Sequence, residues 1–173
     1  MAGACVYSGN ILQALDLKNS HTSWVVVGQT TPWESEEYPP DEDLSTTGIN
    51  EVQGAKRCDI VSLCVPDESG PIEFQGQKYS LVSDAEAYSR GARWIYFRAD
   101  LKYDQFPVVT YRQTALYVDL VPASGYEGYD VLYPTQIQSN GILYYYKNHP
   151  PRYRTVESVD IVEIIIEIQG QNL

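Results

Sequence analysis

The chain has 173 residues, 43% of them hydrophobic, and carries 23 acidic against 12 basic side chains for a net charge of −11. That length buries a sizeable core without disulfide staples and suggests a single domain, 1–173. The charge argues against non-specific binding to nucleic acid or to an anionic membrane, since both need excess Lys and Arg.

No apolar run reaches the roughly 18 residues of a membrane-spanning helix. The N-terminal MAGACVYSGNILQ lacks the basic region of a secretory signal. Fifteen Tyr stand beside three Phe and one Met. Tyr suits half-covered β surfaces and interfaces, where the ring is buried and the hydroxyl finds a polar partner. Cys58 and Cys64 fall in one expected strand, roughly 20 Å apart by strand rise and beyond disulfide reach. With no CxxC spacing, Cys5, Cys58 and Cys64 read as reduced, mostly buried thiols of an intracellular product.

In chain order, residues 8–19 read as a helix capped by Ser8, with Ile11, Leu12 and Leu15 on one face. SWVVVG (23–28) is a continuous apolar run too short for a helix, hence a buried strand. GQTTPW (28–33) is a turn without the glycine spacing or Lys of a phosphate loop. ESEEYPPDEDLSTT (34–47) is an acidic loop with two prolines. Its carboxylates lack the spacing and tight-turn Gly of a calcium site, so it reads as a solvated surface loop. A short helix is expected through Ile49, Val52 and Ala55, weakened by Gly48 and Gly54. Residues 29–58 are thus the expected insertion lobe.

Further strands are expected at 59–65, 78–84, 92–101, 111–122 and 129–137. In the 92–101 strand both faces are large and apolar, which places it centrally. Asn140-Gly141 signals a tight turn into a closing pair, GILYYYK and VDIVEIIIEI. In the second of these, Val162, Ile164, Ile166 and Ile168 share one face, the pattern of a half-buried strand. Seven or eight strands and one or two short helices predict an antiparallel β-sandwich with loop insertions.

No catalytic constellation is legible. His21 and His149 sit in no nucleophile motif. Glu163 and Glu167 lie on one strand face roughly 13 Å apart, which suits a solvated or interface face better than an acid/base pair. Asp100 and Asp104 read as polar residues at a strand end. The chain is therefore expected to be no enzyme, with no cofactor and no metal. In the last arm Lys147, Arg152 and Arg154 alternate with Tyr144, Tyr145, Tyr146 and Tyr153. On so acidic a protein this fits docking onto an acidic neighbour. It fits equally an inward-folded connection whose guanidiniums meet carboxylates of the same chain.

Six patches then line up, in order, with a known family. They are VVVGQTTPW (25–33), PPDEDLSTTGINEV (39–52), IVSLCVP (60–66), RWIYFRADL (93–101), YRQTALYVDLVP (111–122) and YYYKNHPPRYRTVESVDIVEIIIEI (144–168). Together the chain resembles, in shortened form, the baseplate wedge subunit (eighth gene product) of T-even-type contractile-tailed bacteriophages. The length difference falls in loops near 66–92 and 122–141. The resemblance implies a non-enzymatic β-sandwich that pairs with itself as a homodimer and holds other baseplate wedge and tail proteins. It also implies a place in the virion tail, after assembly in the host cytoplasm. The expected partner contacts are Glu36, Glu37 and Asp41 of the acidic loop and Tyr145, Arg152, Tyr153 and Arg154 of the arm, with no nucleic acid and no membrane. The alternative is a carbohydrate- or receptor-binding module of a tail fibre, which would use an exposed Trp. Trp24 and Trp94 read as core, leaving Trp33.

Overall fold

The computed structural model describes residues 3–170. Helix α1 (Tyr7–Ser20) is followed by β1 (Ser23–Gly28), β2 (Gly54–Arg57), β3 (Ile60–Pro66), β4 (Ile72–Phe74), β5 (Gln77–Val82), β6 (Trp94–Leu101), β7 (Thr110–Val118), β8 (Val121–Pro122), β9 (Val131–Leu132), β10 (Ile137–Ser139), β11 (Ile142–Tyr153) and β12 (Asp160–Glu167). Single 3-10 turns lie at Asp84–Glu86 and Pro134–Gln136. The sheets run β11-β7-β1-β2-β9, β10-β8 and β12-β6-β3-β5-β4. The mainly β, antiparallel class expected from the sequence is the class of the structure. The chain divides into two compact units. One comprises Thr22–Cys58 and Ala99–Val162; the other comprises Met1–His21, Asp59–Arg98 and Glu163–Leu173.

In the first unit β1 lies between β7 and β2, and all six of its residues are buried. That is why its Val run shows no alternation. Trp24, Val26, Ala55, Ala115, Tyr117, Leu120 and Leu132 form the core, with Ile49 and Val52 packed against it. The expected helix through 49–55 is absent. Residues 46–53 are bends and irregular backbone, and β2 begins at Gly54. The backbone there is bonded outwards instead: Ile49 N–H donates to the Tyr117 hydroxyl and Asn50 N–H to Gln113 Oε1, both at 2.9 Å. Two glycines weaken a helix, and these tertiary bonds replace its ladder.

The expected 111–122 strand is broken at Asp119. Its backbone turns left-handed (φ 58°) and its carboxylate accepts the Thr22 N–H at 3.0 Å. β7 ends there and β8 pairs with β10. Asn140-Gly141 does turn the chain, but β10 and β11 belong to different sheets, so no hairpin forms. Gly141 has φ 72°, and a Cβ there would lie 2.3 Å from Val118 O. Only glycine fits that approach.

The second unit holds α1, whose buried stripe is Asn10, Ile11, Ala14 and Leu17. Leu12, placed on that face by the sequence, is exposed, and Leu15 is half-buried. Ser8 lies inside the first turn rather than capping it; Val6 holds the cap position and makes no side-chain bond there. β3 pairs with β6 (Leu63 opposite Ile95) and with β5. β6 is an interior strand, as its two large faces suggested.

The strand expected at 78–84 is β5, and it forms a hairpin with the unexpected short strand β4. Gln75 (φ 50°) and Gly76 (φ 79°) make its turn, and both central residues take the positive φ of a type I′ turn. Tyr96 donates to Glu163 at 2.8 Å, and Arg93 bonds Glu167 at 3.0 Å, with its guanidinium 4.1 and 4.2 Å from the rings of Tyr7 and Trp94. Both strand carboxylates are therefore engaged within the unit.

Three expectations about the C-terminal stretch and the thiols need correction. β11 pairs with β7 while β12 pairs with β6, so GILYYYK and VDIVEIIIEI are not partners. Ile164 and the adjacent Ile165 are both buried and Ile166 is only half-buried, so the simple alternation fails in mid-strand. Of the cysteines only Cys64 is buried, its thiol pushed up to about 12 by burial; Cys58 precedes β3 and is half-buried, and Cys5 is exposed.

Candidate partner-binding surface

Two stretches singled out separately in the sequence, the acidic loop and the aromatic arm, meet in the first unit. The arm is the edge strand β11. Its pairing with β7 carries two irregularities. Leu143 faces Tyr117 and Tyr145 faces Leu116, leaving Tyr144 as an extra residue. Further on, Asn148 faces Gln113 and Arg152 faces Tyr111, so His149, Pro150 and Pro151 stand opposite the single Arg112. Proline has no N–H to give a ladder, so the pair sits where a strand can bulge. Pro150 and Pro151 of the arm lie in this bulge.

The bulge turns His149 inwards. Its ring is buried, 5.5 Å from the Tyr111 ring and edge-on to it. Nδ1 lies 2.8 Å from Pro150 O, a carbonyl that can only accept, so Nδ1 carries the proton. Nε2 then accepts from the Thr114 hydroxyl at 2.9 Å. Burial lowers the proton affinity of the ring, and the nearby Arg152 and Lys147 add to the effect. The neutral imidazole is held by packing and by two bonds, to the Pro150 carbonyl and the Thr114 hydroxyl, with no carboxylate among those partners.

The acidic loop is fastened along this strand. Glu36 takes a forked ion pair from Arg112, with contacts of 2.6–2.9 Å to both carboxylate oxygens. The Arg112 bonds hold the Glu36 carboxyl below the usual carboxylate range. Arg112 also donates to Thr30 O. Trp33 donates its indole N–H to His149 O at 3.0 Å. Asn148 donates its backbone N–H to Glu42 at 2.8 Å and its side-chain amide to Pro40 O at 2.9 Å. The Tyr146 hydroxyl bonds the backbone of Asp43 and lies 3.2 Å from the Thr46 hydroxyl. Asp43 closes a local turn by accepting from Ser45 N–H and Oγ. Between loop and strand lies an open groove of about 220 Å³, lined by Glu42, Asp43, Leu44 and Thr46 on one side and by residues 143–146 on the other.

The seven residues proposed from the sequence fall into different places here. Glu37 and Asp41 are exposed on the loop, and Glu36 is half-buried on Arg112. Tyr145 is half-buried at the groove, where burial, and then Glu42, raise its phenol's proton affinity. Arg152 and Tyr153 are exposed. Arg154 takes the inward course the sequence left open. It is buried and donates to Leu101 O, Lys102 O and Asp160 at 3.0–3.1 Å. Trp33 is engaged through its N–H rather than displayed, Trp24 is buried and Trp94 half-buried. Arg112, Asn148 and Leu44 were missed. For Arg112 a signal existed: a lone charge in an otherwise buried strand needs a partner.

Among the described residues no cluster of three His, Cys, Asp or Glu side chains is placed to hold a metal ion, and no helix is long and apolar enough to cross a membrane. What this region offers is surface: a braced acidic loop, an aromatic edge strand that carries Lys147 and Arg152, and a groove between them. Comparison with known proteins agrees with a role in assembly. Virion protein 3 of Enterococcus phage phiEF24C is 30% identical over 171 residues, covering 95% of this chain and 94% of that protein. The family model of the baseplate wedge 3 tail fiber network component matches residues 1–168. The expected phage-baseplate relationship is thus shown, and the chain belongs to the baseplate wedge 3 tail fiber network component family.

Proposed function

We propose that this chain is a non-catalytic wedge subunit of a contractile-tail baseplate, built to join neighbouring wedge and tail-fibre-network proteins and to pair with a second copy of itself. The resemblance to the T-even-type wedge subunit supports the finer part of this reading. The observation that carries it is the match to the baseplate wedge 3 tail fiber network component family along residues 1–168. The braced loop supports it as well. A loop of more than about 15 residues without secondary structure is usually functional or disordered, and this one is pinned at Thr30, Trp33, Glu36, Pro40, Glu42, Asp43 and Ile49. A fixed, aromatic and acidic surface is what an assembly interface needs, since order before binding lowers the entropy lost on binding.

The test is structural. Labelled antibody against the chain, imaged on intact virions, should mark the baseplate; label elsewhere on the particle or absent from it would overturn the reading. Light scattering of the purified 19.5 kDa chain should give twice that mass. A monomer at all concentrations would remove the homodimer.

A further inference from the structure

We propose that the groove between residues 42–46 and β11 docks a basic, apolar-tipped segment of a different protein, with Leu44 as the anchor that enters it. The proposal rests on the assembly reading above and names the surface and the partner chemistry.

Leu44 is fully exposed, at 102% of its reference area. A single exposed leucine is ordinary. This one is presented by a backbone held on both sides, by the Tyr146 hydroxyl at Asp43 and by the Asp43–Ser45 turn. It also borders the groove floored by Leu143, Tyr144, Tyr145 and Tyr146. The bulge in β11 adds Tyr144 to that wall. Rigid aromatic area around a protruding aliphatic side chain is the composition of an interface hot spot.

Charge selects the occupant. No Lys or Arg occurs between Lys18 and Lys56, while Glu34, Glu36, Glu37, Asp41, Glu42, Asp43 and Glu51 all do. Of these, Glu36 is neutralised by Arg112, Glu42 and Asp43 line the groove, and Glu34, Glu37 and Asp41 stand exposed. On the facing strand the exposed charges are Lys147 and Arg152, so the loop side is the acidic one. A second copy would bring the same −11 charge to this surface. Like charges brought together there oppose self-pairing, whereas Lys and Arg flanking an apolar group complement the rim and speed encounter. A sugar would stack on an open Trp, and Trp33, in the same loop, is half-buried with its N–H on His149 O.

The experiment places a benzophenone amino acid at position 44 of the full chain, and separately at exposed Leu12 on α1, in phage produced with each variant. After irradiation of purified virions, position 44 should cross-link to a Lys- or Arg-rich segment of another virion protein, and position 12 should not give that product. Glu37→Lys with Asp41→Lys, exposed on the same loop as the anchor, should cut it about tenfold, the scale of a hot-spot change. A 44–44 product between two copies, or no product from variants that are present in the virion, overturns the surface while leaving the assembly reading intact. Absence of the unmodified chain from virions overturns both. Leu44→Ser should leave the unfolding midpoint unchanged; if it lowers it, the side chain is structural and the anchor role falls.

Discussion

Two regions of the same unit are attached in opposite ways. β1 and the middle of β7 are held by burial: Val25, Val26, Val27, Ala115 and Leu116 are all fully inaccessible. The loop from Gln29 to Gln53 is held mainly by directed bonds, to Arg112, Gln113, Tyr117, Tyr146, Asn148 and His149 O. Apolar burial is large and tolerant of small shifts. Each hydrogen bond contributes little net free energy but fixes a direction. The sheet therefore supplies stability, and the loop has a fixed shape that loss of a few bonds would release.

Cutting into each region tests that contrast. Leu116→Ala, at a fully buried site, should cost about 2–5 kcal/mol and lower the global unfolding transition as one event. If it merely frees the loop, the contrast is wrong. Arg112→Ala should act the other way round. Its guanidinium holds both Glu36 and Thr30 O, so chymotrypsin should cut near Tyr38 faster while the thermal midpoint falls less than for Leu116→Ala. Unchanged cleavage would show that apolar contacts suffice to seat the loop. Arg112→Lys should restore little, because an ammonium cannot make the fork. Tyr146→Phe removes only the hydroxyl bonded to Asp43 and Thr46 and should cost about 0.5–1.5 kcal/mol. No measurable loss would mean water replaces those bonds fully.

The smallest effect is a pH dependence. His149 is buried and neutral, and its proton affinity is lowered in the fold. Below about pH 6.5 the unfolded chain takes up a proton that the folded one resists, so this contribution is complete above that pH and declines as pH falls. His149→Gln should flatten the slope of the unfolding midpoint below pH 6.5. An unchanged slope would assign the acid sensitivity to carboxylates instead.

Much of the framework was legible because period and burial agree over whole elements. SWVVVG, IVSLCV and WIYFRADL lie where their apolar runs put them. The failures are local conformations that residue type disguises. Gln75 at positive φ carries no turn signal, so β4 and its pairing with the expected 78–84 strand are not legible. Asp119 at positive φ breaks a run that alternates well through Val118. The acidic loop and the arm were each visible as composition, yet their meeting was not. Glu42 and Asn148 are 106 residues apart, and nothing along the chain encodes their contact. Arg112 is a charge within a buried strand, and its partner Glu36 lies 76 residues away along the chain.

The three tryptophans occupy three chemically different settings. Trp24 sits in the apolar core of its unit, Trp33 is tied by its indole N–H to the β11 bulge, and Trp94, in the other unit, lies beneath the Arg93 guanidinium. The chain thus carries its own optical reporters. Variants keeping one indole at a time would follow by emission the melting of one sheet, the detachment of the loop and the melting of the other sheet, without an added dye.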